Sequence, residues 1–101
     1  MATVTSKVLA RTAAATTSTT LYTVPSATTT IATNIAVTNT AGTSGTFTIS
    51  LNGVALFSTT PIEGYATAVI DLKQALTATQ TITGLASATT INFHISGVEI
   101  V

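Results

Sequence analysis

The side chains that could bind a metal ion or transfer a proton are few in this chain. They are His94, the single histidine, and the carboxylates of Glu63, Asp71 and Glu99. A metal site needs three or four ligands that converge on one point, and no two of these residues stand at the spacing of a ligand pair. We therefore expect no metal ion and no cofactor. We expect His94 to be a surface or interface side chain.

The hydroxyl and carboxylate side chains show no catalytic pattern either. Glu63 and Asp71 could approach each other as the two carboxylates of a glycoside hydrolase, but Trp is absent and there are only two Tyr and three Phe to line a groove. No Ser stands in a nucleophile-elbow context, and no Gly-rich loop of the phosphate-binding kind is present. The sequence therefore predicts that the protein is not an enzyme.

The cationic side chains are too few for a nucleic-acid surface. They are Lys7, Arg11 and Lys73, whereas binding to phosphates usually recruits many cations. Lys7 and Arg11 are four residues apart, so on a strand they should share one face. They could serve solubility, form interface salt bridges or contact an acidic partner.

Threonine dominates the composition, with 26 copies beside 16 alanines and only six charged residues, and the formal net charge is zero. Thr is β-branched and suits a pleated sheet better than a helix. A soluble domain usually carries about a quarter charged residues. Two interpretations remain, a β-domain kept soluble by hydroxyls and a protein that works inside a large assembly. The scarcity of charge favours the second.

The chain of 101 residues has the length of one domain. We expect a single β-sandwich over residues 1–101, with residues 1–6 as a candidate extended arm. No apolar run approaches the roughly 18 residues of a membrane span, and the first residues lack the apolar segment of a signal peptide. We therefore expect no membrane partner, and synthesis in a cytoplasm from which the protein leaves only as part of a particle.

The dominant hydrophobic period is two, which predicts strands. In "GTFTISLNG", Phe47, Ile49 and Leu51 alternate with hydroxyl residues, and Asn52-Gly53 is a strong hairpin turn signal. "TTIATNIAVTN" alternates likewise, with Ile31 predicted on the same face as Ile35 and Val37. Eight strands are predicted at about 5–14, 18–24, 29–39, 45–52, 54–59, 65–72, 79–84 and 90–100. "DLKQALTATQ" is predicted to be a connection that could hold one helical turn.

Eight short strands at regular spacing predict an all-β fold, an antiparallel sandwich of jelly-roll or immunoglobulin-like topology. The sequence leaves the strand order open. In the last strand the apolar phase slips by one residue, from Phe93 and Ile95 to Val98 and Ile100. A β-bulge at Gly97 would turn Val98 and Ile100 back inward. Alternatively the final residues leave the sheet and bury these side chains on a neighbouring subunit.

The predicted sheet edges favour self-association. Lys, Pro and inward-pointing charges, which blunt the edges of many monomeric sheets, are nearly missing here. Burial in a closed symmetric oligomer would protect such edges. Tyr22 and Tyr65 could anchor an interface or lie at the edge of the core. The candidate interface residues are Lys7, Arg11, Tyr65, His94, Val98 and Ile100.

The order of the segments "NIAVTNTAGTSGTFTISLNGVALF", "ATAVIDLKQALTATQTITG" and "NFHISGVEIV" resembles that of small virion structural proteins of tailed bacteriophages and prophages. The resemblance covers about residues 31–101 and rests on a pattern of strands, not on a catalytic signature. Within this group the chain looks most like capsid decoration (cement) proteins, which commonly form trimers at local three-fold positions of the shell. The group supplies no catalytic residues.

The resemblance implies a protein on the outer capsid surface of the virion, which binds the lattice of the major capsid protein and stabilises the shell, as a homotrimer. The alternative is a tail, baseplate or fibre-associated virion protein involved in host attachment. A third class, a non-viral adhesion sandwich, would be expected to carry a signal peptide or an anchoring tail.

Overall fold

The computed structural model describes residues 3–101 as an all-β structure, and the predicted sandwich is confirmed. Its eight strands are β1 Val4–Ala13, β2 Thr19–Thr23, β3 Thr29–Asn39, β4 Gly45–Leu51, β5 Val54–Ile62, β6 Thr67–Leu76, β7 Thr81–Ala86 and β8 Ile91–Ile100. Residues 3–101 form no helix. This region therefore contains no helix that is long and apolar enough to span a bilayer.

The order of pairing decides between the two topologies that the sequence left open. β1 pairs with β8, β2 with β7, β3 with β6 and β4 with β5, all antiparallel, so the chain forms one long hairpin. Rolling this hairpin up adds the pairs β3–β8 and β4–β7. The result is a first sheet in the order β1-β8-β3-β6 and a second sheet in the order β2-β7-β4-β5. This is the arrangement of an eight-stranded jelly roll.

Both chain ends of the described region take part in the first sheet. Residues 4–6, which the sequence assigned to a candidate arm, begin β1 and pair with residues 98–100 of β8. Thr3 and Val101 continue the pairing with two backbone hydrogen bonds of 2.9 Å. Residues 1–2 of that candidate arm lie outside the described residues.

The core lies between the two sheets and is centred on the phenylalanines. Phe47 of β4 meets Phe93 of β8 edge to face, with ring centroids 6.4 Å apart, and so joins the sheets. Phe57 lies 6.0 Å from Phe47 on the second sheet. Ile91, Phe93 and Ile95 of β8 alternate inward, and all three side chains are buried.

A line of β-bulges crosses the first sheet opposite Ser96-Gly97. β1 carries one extra residue at Leu9, and β3 carries one at Thr33. β8 itself stays regular, with Gly97 on the same buried face as Ile95. The predicted bulge at Gly97 is therefore wrong, because the extra residues are in the neighbouring strands.

Gly97 is a glycine because β3 approaches it closely. A Cβ atom at this position would lie 2.2 Å from the carbonyl oxygen of Ile31 and 3.1 Å from the Cα of Ala32. The φ angle of Gly97 is not in the left-handed region. Among the described glycines, only Gly53 has a φ in that region. The requirement is therefore for space, which allows the bulged strand to lie against β8.

The bulge line overturns two predictions about side-chain orientation. Ile31 faces outward and is half-buried, whereas Ile35 beyond the bulge faces the core. Lys7 is in register with Gly97 on the inner face and Arg11 with His94 on the outer face, so the prediction that the two cations share a face is wrong.

Because β8 keeps its regular alternation past Gly97, its last apolar residues lie on the outside of the sandwich. Val98 and Ile100 lie on the outer face, half-buried, and remain paired within the sheet. The two residues therefore neither turn inward nor leave the sheet, and their burial on a neighbouring subunit stays a prediction.

Two strands extend beyond their predicted ends. β5 continues to Ile62 through a bulge near Thr59, which has a φ of 47°. β6 continues to Leu76, which pairs with Thr30, so "DLKQAL" is neither a connection nor a helical turn. β3 is long enough to offer pairing partners along this stretch, and the polar side chains of β6 remain in solvent at the sheet edge.

All four edge strands contain irregularities that blunt them. β1 is bulged at Leu9, β2 at Leu21, β5 near Thr59, and β6 places two residues, Leu72 and Lys73, opposite one residue of β3. Bulges twist an edge away from pairing with another chain. The prediction of nearly unprotected edges is therefore wrong, and self-association has to be argued from the faces of the sheets.

We predict that Gly97→Ala destabilises the fold by about 2–3 kcal/mol, because the added methyl group meets the backbone of β3. Gly53→Ala is the control, since a Cβ there meets nothing within 4 Å and only its φ of 80° is unfavourable, at a cost of about 1–2 kcal/mol. Denaturant unfolding of both variants checks this. Equal or reversed costs would contradict the role given to the close approach.

Candidate interaction surfaces

The two sheets differ in charge. Five of the six charged residues lie on strands of the first sheet, and the sixth, Glu63, lies in the loop after β5. The four strands of the second sheet contain no Lys, Arg, Asp, Glu or His. The outer side of the second sheet therefore carries no ionisable side chain, since Tyr22 of β2 is buried between the sheets.

The outer side of the second sheet is covered by small hydroxyl and alkyl side chains, and we name it the hydroxyl face. Its rows, read across the sheet, are Thr20–Thr83–Ser50–Ala55, Thr48–Leu85, Thr46–Pro61 and Thr23–Thr81. Short side chains lose little conformational entropy when a partner covers them. Hydroxyls can also be buried at far lower cost than charges when they find a partner. The face is thus suited to a contact that depends little on salt.

The outer side of the first sheet carries an apolar patch, which we define as Val4, Val8, Ile31, Val98 and Ile100. Val98 is in register with Ile31, and Ile100 with Val4. Val4 is 64% exposed and Val8 48% exposed. The patch extends over β1, β8 and β3 and reaches the edge of the sheet, so a second molecule can contact it without moving the backbone.

A shallow, open depression adjoins this patch at the bulge line. It is lined by Ser6, Lys7, Val8, Thr33, Ser96, Gly97 and Val98.

Lys7 belongs to a polar cluster that ties the sheets together at one end of the sandwich. Its Nζ lies 3.2 Å from Oε2 of Glu99, whose side chain is only 13% exposed. The Tyr22 hydroxyl of the second sheet donates to the same carboxylate and lies 2.8 Å from the hydroxyl of buried Thr30. Glu99 points inward because β8 keeps its alternation past Gly97. Sequence reasoning missed this cluster, although an acid two residues after an inward-facing glycine was the available signal.

The cluster shifts the ionisation of its members in opposite directions. The hydrogen bond from Tyr22 lowers the pKa of Glu99, and the ammonium of Lys7 acts in the same direction against partial desolvation. Burial raises the pKa of Tyr22, and the hydrogen bond to Glu99 adds to that rise. The fold therefore favours an ionised Glu99 beside a neutral Tyr22.

Arg11 and His94 are neighbours on the outer face of the first sheet, where their Cα atoms are in register. Asp71 lies on the same face at the opposite edge strand, 3.2 Å from the amide of Asn34. Within residues 3–101 no three His, Cys, Asp or Glu side chains form a group that could hold a metal ion. Of the predicted interface residues, Val98 and Ile100 share the apolar patch, and Arg11 and His94 share a row beyond the bulge line.

Tyr65 lies apart from these residues, at the loop end of the sandwich, and 79% of its surface is exposed. It occupies a turn closed by a hydrogen bond of 3.2 Å from the Ala66 N–H to the Glu63 carbonyl. Its own N–H donates to the carbonyl of Ala41 in the β3–β4 loop at 2.9 Å. The structure therefore places Tyr65 in solvent, not at the edge of the core.

Buried Asn39 orders the loop on which Tyr65 rests. Its side-chain amide donates to the carbonyl of Thr43 at 2.7 Å and accepts from the N–H of Ala41 at 3.1 Å. Only 1% of Asn39 is exposed. These two bonds hold the loop in the shape of a compact turn, which a sequence pattern of strands does not reveal.

A search of family models and of curated protein sequences finds no match for this chain. Solved structures do match. A chain of the T13 IBDV viral particle has a TM-score of 0.61 at 7% identity, over 98% of this chain and 30% of that one. The present chain thus spans less than a third of the length of that viral chain. At this identity the likeness is one of fold.

Two other solved structures are less similar. CBM35 from Paenibacillus barcinonensis has a TM-score of 0.45 at 9% identity, over 98% of both chains. A pentameric capsid protein isolated from metagenomic phage sequences has a TM-score of 0.39 at 13% identity, over 97% of this chain and 59% of that one. The structural neighbours therefore include viral capsid proteins, and scores this low bear on neither function nor assembly.

We predict that acid weakens the fold through Glu99. Its folded pKa lies below the ordinary value of 4.5, so its contribution is present above that pH and is lost as pH falls through the folded pKa. Tyr22 acts at the other limit, since its contribution is present below its ordinary pKa of 10.0 and is lost as pH rises through the raised value. Urea midpoints measured against pH should fall at both limits.

The matched variants for this prediction are Glu99→Gln and Glu63→Gln. Glu99→Gln removes the carboxylate that Lys7 and Tyr22 contact. It should therefore lower the urea midpoint at neutral pH and reduce the further fall of that midpoint at acid pH. Glu63→Gln makes the same chemical change at an exposed loop position, so the urea midpoint of this variant should still fall at acid pH. If the urea midpoint of Glu99→Gln falls at acid pH as much as that of the wild type, other groups control the loss of stability in acid.

Proposed function

We propose that this protein is a virion structural protein, a decoration protein that binds the outside of the major capsid protein lattice of a tailed phage and stabilises the shell. The observation that carries the proposal is the absence of charge from the second sheet, which leaves the whole hydroxyl face neutral. A protein that stays free in solution gains solubility from charge on all sides. A protein held in an assembly needs a side that a neighbour can cover without desolvating ions.

Two further observations support the proposal. The strand pattern over about residues 31–101 resembles that of small phage virion proteins. The jelly-roll fold is one that viral capsid domains use, and the likeness of fold to a chain of a viral particle extends over 98% of this chain.

In the proposed assembly the hydroxyl face lies on the shell and the apolar patch joins copies of the decoration protein. Interfaces between identical subunits are more apolar than transient ones, which suits the patch of Val and Ile side chains. Because Val4 and Val8 lie on the edge strand β1, copies can meet there around a symmetry axis. We propose a trimer, as the resemblance to decoration proteins implies.

The mechanism is mechanical and needs no catalytic group. Each docked trimer would bury surface on neighbouring capsid subunits, so that separating those subunits also requires removing the trimer. The stabilisation grows with the number of occupied sites. A neutral contact keeps this effect when the ionic strength around the particle changes.

We predict hundreds of copies per virion, measured by quantitative mass spectrometry of purified particles against the major capsid protein. A capsid lattice offers a repeated site, so occupancy should scale with the shell. A handful of copies would favour the tail, baseplate or fibre alternative. Absence from particles would rule out both virion roles.

We predict that Val98→Asp converts the isolated trimer into monomers, because it places a charge at the centre of the apolar patch. Val69→Asp is the matched control, since Val69 is 65% exposed on the same outer face but lies beyond the bulge line on β6. Sedimentation at micromolar concentration distinguishes the two. A wild-type protein that is already monomeric would contradict the proposed self-association.

A further inference from the structure

Tyr65 has a backbone conformation that tyrosine rarely adopts. Its φ is +57°, at the third position of the turn from Glu63 to Ala66. That position of such a turn favours Gly or Asn, and a bulky residue there is a genuine outlier. Gly64, the adjacent residue that would tolerate a positive φ, does not have one. The fold therefore holds an unfavourable residue at an exposed turn, where the ring contributes little to the core.

The surrounding loops fix this conformation in advance. A Cβ at Gly64 would lie 2.4 Å from the carbonyl carbon and oxygen of Gly42, so the two loops are in backbone contact. The Tyr65 N–H bonds to Ala41, and buried Asn39 holds the β3–β4 loop in place. A backbone held this rigidly loses little entropy when the side chain that it carries binds a ligand.

The ring of Tyr65 lies close to Gly42 at its hydroxyl end and is otherwise largely exposed to solvent. Its hydroxyl end lies over Gly42, where a Cβ would be 3.2 Å from Cε2 and 3.4 Å from the hydroxyl oxygen. A larger residue at 42 would push the ring away. With 79% of its surface exposed, the tyrosine presents an accessible aromatic platform.

The side chains near Tyr65 indicate which class of ligand would bind to its ring. The two loops carry Thr43, Ser44 and the exposed carboxylate of Glu63, and no large aliphatic residue. A hot spot for a protein partner is centred in an apolar, water-excluding pocket, which these loops do not offer. An aromatic face combined with hydroxyl and carboxylate groups suits a sugar, whose C–H faces stack on the ring while its hydroxyls form hydrogen bonds.

We propose that Tyr65, together with the loops 40–44 and 63–66, forms a carbohydrate-binding site at the end of the sandwich. The site is separate from the hydroxyl face and from the apolar patch. It therefore goes beyond shell stabilisation and would give the protein a second activity, attachment to neutral saccharides. It is independent of whether the protein binds a capsid.

The test is titration of the ¹⁵N-labelled full chain with three neutral probes, maltohexaose, cellohexaose and chitohexaose, followed by amide chemical shifts. At least one probe should shift the amides of Gly42, Glu63 and Ala66 saturably at millimolar concentration. Tyr65→Gly should weaken that binding about tenfold or more. It should also raise the melting temperature, because glycine adopts the positive φ without strain.

Three outcomes would overturn the proposal. They are the absence of saturable shifts with all three probes, unchanged affinity in Tyr65→Gly, and a lowered melting temperature that reveals a structural role for the ring. Tyr22→Phe is the control for loss of a tyrosine, since Tyr22 lies inside the sandwich, and it should keep the sugar shifts. Loss of particle binding by Tyr65→Gly without any sugar binding would show that the ring anchors a protein instead.

Discussion

The close approach of β3 to Gly97 is the constraint on which the rest of the first sheet depends. Because no Cβ stands in the way, the Ile31 carbonyl lies against β8 and β3 can accommodate an extra residue at Thr33. β1 matches this with its own extra residue at Leu9. The line of bulges then determines which side chains of β1 and β3 face the core at this end and which face solvent.

Two functional features meet at that line. Between it and the end of β8, the bulged β3 turns Ile31 outward beside Val98 and Ile100 of the regular β8, and these three side chains belong to the apolar patch. On the inner side, the same alternation carries Glu99 between the sheets, where Lys7 and Tyr22 neutralise and hydrogen-bond it. The Lys7–Glu99 ion pair is therefore part of the closure of the sandwich.

Most of the fold could be predicted from hydrophobic alternation and turn residues. β3 was predicted with its observed bounds, and Asn52-Gly53 joins β4 to β5 as expected. Bulges could not be predicted, because a one-residue insertion in β1 depends on space created by a glycine in β8. The predicted orientations of Ile31 and Arg11 were wrong for this reason. The turn at Tyr65 was equally inaccessible, since its strain arises from contacts with a loop more than 20 residues earlier.

The nesting of the strand pairs has a kinetic consequence. Closing β4 on β5 joins residues that are near neighbours in sequence, whereas each further pair encloses a longer segment, up to β1 on β8. Non-local pairing slows folding, because loop-closure entropy is lost before the contacts form. The pair with the greatest sequence separation contributes Val4, Val98 and Ile100 to the apolar patch. That patch is therefore complete only in chains whose first and last strands have paired, so partly folded chains lack the full surface through which copies would associate.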